Sequence, residues 1–181
     1  VYIEKILFNT RRLSTLTGNI LLLSKINNQT IKPQRTSFRL DEQIRQAIVA
    51  LEQKWTEKDI DFDVELDKIT YNGYENLLIH VWINLIDNAI KFDPQGGMIV
   101  LRLRQSEGCV LFTIADNGPG VPPEEQERIF HKFYQSDSSR EVSGNGLGLS
   151  LVRQIVAFSG GTVIVENLPE AGCRFTVSLP M

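Results

Sequence analysis

The 181 residues carry 42% hydrophobic and 23% charged side chains, the balance of a globular protein with a core of its own. A net charge of -3 gives no sign of a nucleic-acid groove or a polybasic membrane attachment, and nucleic acid is not expected among the partners. Cys109 and Cys173 stand far apart without CxxC spacing, so neither a zinc site nor a disulfide framework is indicated. No run reaches the ~18 consecutive apolar residues of a membrane span, and no signal peptide is expected in this stretch. A chain that starts at Val1 in what reads as mid-helix is expected to be a fragment of something longer.

Residues 1–27 predict an amphipathic helix. Ile6, Leu13 and Ile20 recur at heptad spacing with Leu16 and Leu23 between them, an a/d seam with Arg11, Arg12 and Lys25 outside it. One seam cannot bury itself in water, so this helix needs a partner, from upstream or from a second chain. Residues 28–37, with Pro33, break the periodicity and read as a linker. Phe38 and Leu40 predict a short strand, and Asp41 an N-cap for a helix to about Lys58 that buries Ile44, Ala47, Ile48, Leu51 and Trp55. Ile60, Phe62, Val64 and Leu66 alternate with acidic residues, a half-buried strand. A short strand at Ile69–Tyr71 and an Asn72-Gly73 turn lead to a helix ending near Phe92.

Met98–Arg104 and Val110–Ala115 predict a hairpin across Ser106–Gly108, followed by a turn at Asp116-Asn-Gly-Pro-Gly120. Pro122 and Pro123 precede a predicted helix over 124–133, and 135–145 is polar and rich in Ser and Gly. A second glycine-rich turn, Gly144-Asn-Gly-Leu-Gly148, opens a helix to about Phe158, and strands at Thr162–Asn167 and Cys173–Leu179 close the chain. Both cysteines fall in strand-like runs, as small buried side chains would. The expectation is an α/β sandwich of the α+β class: a mixed, mostly antiparallel sheet with helices on one face, plus the N-terminal amphipathic helix.

The stretch His80–Phe92 is apolar almost all round, yet His80, Asn84, Asp87, Asn88 and Lys91 share one face. A core helix with a polar stripe lines a cleft, because an unpartnered buried amide costs roughly 1–3 kcal/mol and an unpartnered charge more. The glycines at 144–148 let bare backbone, and the N–H groups of the following helix start, approach an anion. Alone, each motif is weak: GNGLGL lacks the Rossmann spacing, and no Walker signature is present. Taken singly, Lys91 reads as a solvated helix-end cation and Asp116 as a turn residue. The information lies in the ordered set.

That set resembles the catalytic ATP-binding domain of bacterial sensor histidine kinases, in the superfamily shared with gyrase B subunits, the large heat-shock chaperones and mismatch-repair ATPases. NLIDNAIKF (84–92) is similar to the family's N box and DNGPG (116–120) to its first G box. IFHKF (129–133) is similar to the F box and GNGLGL (144–149) to the second G box. RLSTLTGNILLLSKI resembles the second helix of the dimerisation and phosphotransfer hairpin. The resemblance implies domains at 1–27 (hairpin helix), 28–37 (linker) and 38–181 (catalytic ATP-binding domain). It implies ATP as substrate, Mg2+ as its ion, a homodimer through the hairpin, and a response regulator as partner. It also implies a cytoplasmic position in a membrane-anchored sensor.

Carried onto this chain, the resemblance makes Asn88 the Mg2+ ligand, through its amide oxygen. Lys91 becomes a phosphate partner, Phe92 a pocket wall, and Asp116 the acceptor for the adenine amine. Gly118, Gly120 and Val121 follow the base. Phe130 and Phe133 anchor a lid over 134–145, and Gly144, Asn145, Gly146, Leu147, Gly148 and Leu149 lie along the phosphates. Asn84 stands where hydrolysing relatives carry a glutamate base; an amide takes no proton, so ATP would be held with little hydrolysis. Asn84 and Lys91 are then the catalytic pair, acting by positioning and charge.

Three departures qualify this. The family's acceptor motif is absent, since the chain has only His80 and His131, so His80 reads as a cleft-rim residue and His131 as solvent-facing. Gln135 occupies a position where arginine is common, leaving that role vacant or to Arg140 or Lys132. Tyr74 stands where an acid is common. Two other readings stay open: a nucleotide-binding module without kinase activity, and a gyrase-type ATP hydrolase.

Overall fold

A computed structural model describes residues 2–28, 33–135 and 146–181, without the side chains of residues 4, 5, 8, 11, 12 and 27. Helix α1 (Tyr2–Asn27) is followed by β1 (Thr36–Arg39), α2 (Leu40–Ala50), α3 (Glu52–Glu57), β2 (Asp61–Leu66), β3 (Thr70–Gly73) and α4 (Glu75–Phe92). Then come β4 (Met98–Ser106), β5 (Cys109–Ala115), α5 (Gly148–Phe158), β6 (Thr162–Asn167) and β7 (Cys173–Pro180). The main sheet runs β2-β4-β5-β7-β6, with β2 parallel to β4 and every other pair antiparallel. β1 and β3 form a separate antiparallel pair. This is the expected α+β sandwich with a mixed, mostly antiparallel sheet.

Alternation places Ile99, Leu101, Leu103, Phe112, Ile114, Val177 and Leu179 on one buried face of the sheet. Helices α2, α4 and α5 cover it, and Trp82 of α4 meets Phe112 of β5 with ring centroids 4.9 Å apart. Gln43 of α2 ties two helices together: its amide donates to the Glu75 carbonyl and its oxygen accepts the Trp82 indole N–H at 2.8 Å. The opposite sheet face is polar, with Arg102 and Arg104 paired to Asp63, Glu65 and Asp67.

Several local expectations are corrected. Asp41 does not cap a helix; its carboxylate accepts from Arg39 and from the Ile69 N–H, and α2 starts one residue earlier at Leu40. The long helix is broken at Leu51 into α2 and α3. Asn72-Gly73 lies within β3, because pairing with β1 recruits it into a strand. The linker is shorter than 28–37, since Thr36 and Ser37 belong to β1. Residues 124–133 form two single turns of 3-10 helix, Pro123–Glu125 and Arg128–Phe130, instead of one helix.

Helix α1 buries only one end of its apolar seam. Leu23 and Ile26 are buried where α1 packs on α5, whereas Ile6, Leu13 and Ile20 are 63%, 62% and 43% exposed. The end of the heptad seam thus covers the chain's own domain, and the rest faces outward. No helix among the described residues is long and apolar enough to cross a membrane.

Candidate functional site

The α4 stripe is half-buried at His80, Asn84, Asp87, Asn88 and Lys91, flanked by fully buried Leu85, Ile86 and Ala89. Asn84 donates its amide N–H to the His80 carbonyl at 2.7 Å, which turns its oxygen toward the start of α5. A Cβ on Gly148 would come within 2.7 Å of that oxygen, so the glycine lets the first turn of α5 lie against the stripe. Four N–H groups at a helix start have no partner within their own helix, and here they sit beside Asn84. His80 is partly buried, and that burial pushes its imidazole toward the neutral form. His131 is exposed, as expected.

Lys91 pairs with Asp87 at 2.5 Å one helical turn back, and Asp87 pairs with Lys54 of α3 at the same distance. Burial works against the charge on Asp87, but the two ammonium groups outweigh it and hold its carboxyl below the usual range. Lys58 closes the end of α4, its ammonium donating to the carbonyls of Ile90, Lys91 and Asp93 at 2.8 Å each.

In the turn beside the C-terminal end of α4, Asp116 is buried. Its two oxygens accept from the Gly118 N–H at 2.9 Å and from the Cys173 Sγ–H at 3.3 Å. Burial raises its pKa, against the pull of those donors. Burial beside this carboxylate also drives the Cys173 thiol far up, so it is an inert hydrogen-bond donor. Asp93, just beyond α4, is buried too, and accepts the Asn117 N–H at 2.7 Å. Burial and the nearby Asp116 charge raise its pKa. The turn is fixed from the other side by Asn167, which both accepts from the Val121 N–H and donates to the Val121 carbonyl. Gly172, at φ +84, packs where any Cβ would collide with the Asp116 carbonyl. Asp93, Asn167, Gly172 and Cys173 were not singled out for the site in the sequence, because none lies inside a motif.

Phe130 is buried against Phe175, with the Arg153 guanidinium over its ring. The Phe133 ring is 64% exposed, at φ +63, and its N–H donates to the Gly146 carbonyl at 2.8 Å. Gly146, itself at φ +63, lies so close to the Phe133–Tyr134 backbone that no Cβ fits between them. The two ends of the segment between them are thereby pinned together. Gly144, Asn145, Arg140 and most of the expected lid over 134–145 lie outside the described residues. Leu147 is buried, and Phe92, Gly120, Val121 and Leu149 are half-buried. Lys132 is exposed.

No group of three or more His, Cys, Asp or Glu able to hold a metal ion occurs among the described residues. Residues 73–181 match the family model described as histidine kinase-, DNA gyrase B-, and HSP90-like ATPase. The chain belongs to that ATPase family. Among curated relatives of this family, it is 38% identical over 177 residues to the heme sensor protein HssS of Staphylococcus saprophyticus, covering 98% of this chain and 38% of that protein. The chain therefore spans well under half the length of that relative. The structure superposes on a mycobacterial sensor histidine kinase, MprB, at TM-score 0.74 and 30% identity, over 81% of this chain and 97% of that one. It superposes on the histidine kinase ThkA, crystallised in complex with the response regulator protein TrrA, at TM-score 0.78 and 30% identity. That match covers 99% of this chain and 50% of the other.

Proposed function

We propose that this chain is the ATP-binding catalytic part of a sensor histidine kinase. It would transfer the γ-phosphoryl group of ATP to a histidine on a hairpin helix outside this sequence, for onward transfer to a response-regulator aspartate. The observation that carries the reading is the Asn84 oxygen set against Gly148 at the start of α5, with Asn88 and Lys91 further along the same half-buried face of α4 and Asp116 buried in the turn that Asp93 ties to the end of that helix. Residues 1–27 would be the second hairpin helix and 38–181 the catalytic domain. Ile6, Leu13 and Ile20 would face a second protomer, and the ThkA–TrrA complex supports a receiver domain as partner. The same reading places the chain at the cytoplasmic end of a membrane-anchored sensor.

In this reading Asn88 supplies an amide oxygen to Mg2+, whose chemistry is to neutralise charge on the phosphate oxygens. Lys91 leaves Asp87 for those oxygens, and Gly146, Leu147, Gly148 and Leu149 run alongside them. Asp116 accepts the adenine amine; each of its oxygens has a lone pair to spare beyond the Gly118 and Cys173 bonds. Asn84 orients but takes no proton, so water is not activated and ATP waits for the incoming imidazole. The same amide argues against a gyrase-type hydrolase, and the intact Asn88, Lys91 and Asp116 argue against a module that only binds. The test is autophosphorylation in a longer chain bearing the acceptor hairpin. Asn88→Ala should abolish it, and equal activity in the variant would overturn the proposal. Substantial steady-state turnover of ATP by the wild-type chain would favour the hydrolase instead.

A further inference from the structure

Asp87 is the one acidic member of the α4 stripe, and the phosphate chemistry gives it no part. Its side chain is 17% exposed, and its two oxygens are divided between two ammonium groups. Lys91 takes one oxygen from the following turn of the same helix, and Lys54 takes the other from α3, both at 2.5 Å. Lys54 belongs to none of the four motifs and lies on an element far upstream of them.

The arrangement has a consequence for binding. When Lys91 turns toward a phosphate it must give up Asp87. Without a second cation, that would leave a poorly hydrated carboxylate unpaired beside an arriving polyanion, with loss of pairing and like-charge repulsion acting together. With Lys54 in place, Asp87 stays neutralised while Lys91 moves. We infer that Lys54 is a positioning residue for nucleotide binding: it holds the Asp87 carboxylate so that Lys91 is free to engage the phosphates. This rests on the assignment of the α4 face to the phosphates of ATP.

Two properties separate such a role from general support of the fold. The effect scales with phosphate charge, so it is absent for adenosine. It also passes through Asp87, so it vanishes when Asp87 carries no charge. Calorimetric titration of ATP and adenosine into the wild-type chain, Lys54→Met, Lys54→Arg, Asp87→Asn and the Lys54→Met/Asp87→Asn pair tests both. Lys54→Met should weaken ATP about fivefold, the upper range for a half-exposed ion pair, and leave adenosine unchanged. Lys54→Arg should bind ATP as the wild type does. In the Asp87→Asn background, adding Lys54→Met should cost nothing further. The inference is overturned if Lys54→Met binds ATP as tightly as wild type. It is equally overturned if adenosine weakens in parallel, or if the loss persists in the Asp87→Asn background. A wild-type chain that binds no ATP at all would overturn the nucleotide assignment itself, and this inference with it.

Discussion

Asp116 combines two demands that pull in opposite directions. Burial favours its protonated form, yet the proposed bond from the adenine amine needs the carboxylate. A carboxyl whose folded pKa is raised contributes stability below its unfolded value and loses it as pH rises through the folded one. Binding has the reverse sign, because ATP affinity should fall as pH falls through the raised value, starting above the ordinary Asp range of about 4. Asp116→Asn should lower affinity roughly tenfold or more, the scale of a charge-assisted bond, and should flatten this pH dependence. A nucleotide titration at several pH values, with the unfolding midpoint as control, measures both. Wild-type affinity that holds steady through the acid range would contradict the role given to Asp116.

At the level of elements, the site is a meeting of α4, the turn after β5 and the start of α5, held by residues distant in sequence. Gly172 shows how narrow the tolerance is. Its φ of +84 and its contact with the Asp116 carbonyl leave no room for a methyl group, so Gly172→Ala should destabilise by about 2 kcal/mol or more and weaken ATP in parallel. Urea unfolding checks the first part. The periodicities of α4, α5, β4, β5 and β7 were legible because each buries one face and the pattern repeats over enough residues, and that of α1 because its heptad seam is long although most of it stays exposed. The Asp41 cap, the unbroken helix to Lys58 and the Asn72-Gly73 turn were misread because tertiary partners overrode local preference. Arg39 and the Ile69 N–H claim Asp41, and β1 claims β3. The polar stripe of α4 could be found by spacing, and the other motif residues only through the resemblance carried by the ordered set. Their supports, Asp93, Asn167 and Cys173, could not, because a hydrogen bond from Asn167 to Val121 leaves no periodic trace. The resemblance pairs Phe133 with Phe130, yet only Phe130 is buried, because the left-handed backbone at Phe133 leaves its ring exposed.

Across the whole molecule, α1 joins two surfaces. Leu23 and Ile26 bind it to its own α5, while Ile6, Leu13 and Ile20 stay exposed. If those residues form the protomer contact, Leu13→Glu should shift a longer hairpin-bearing chain from dimer to monomer in sedimentation while ATP binding persists. A dimer unaffected by the charge would place the contact elsewhere.

The central claim is that the α4 stripe is completed by the phosphates of ATP and their ion. Calorimetric titration of ATP with Mg2+ into the wild-type chain and Asn88→Ala tests it most directly. One ATP bound per wild-type chain, with binding largely lost in Asn88→Ala and an unchanged unfolding midpoint, is the predicted result. Equal binding by the two proteins, or none by the wild type, would contradict it.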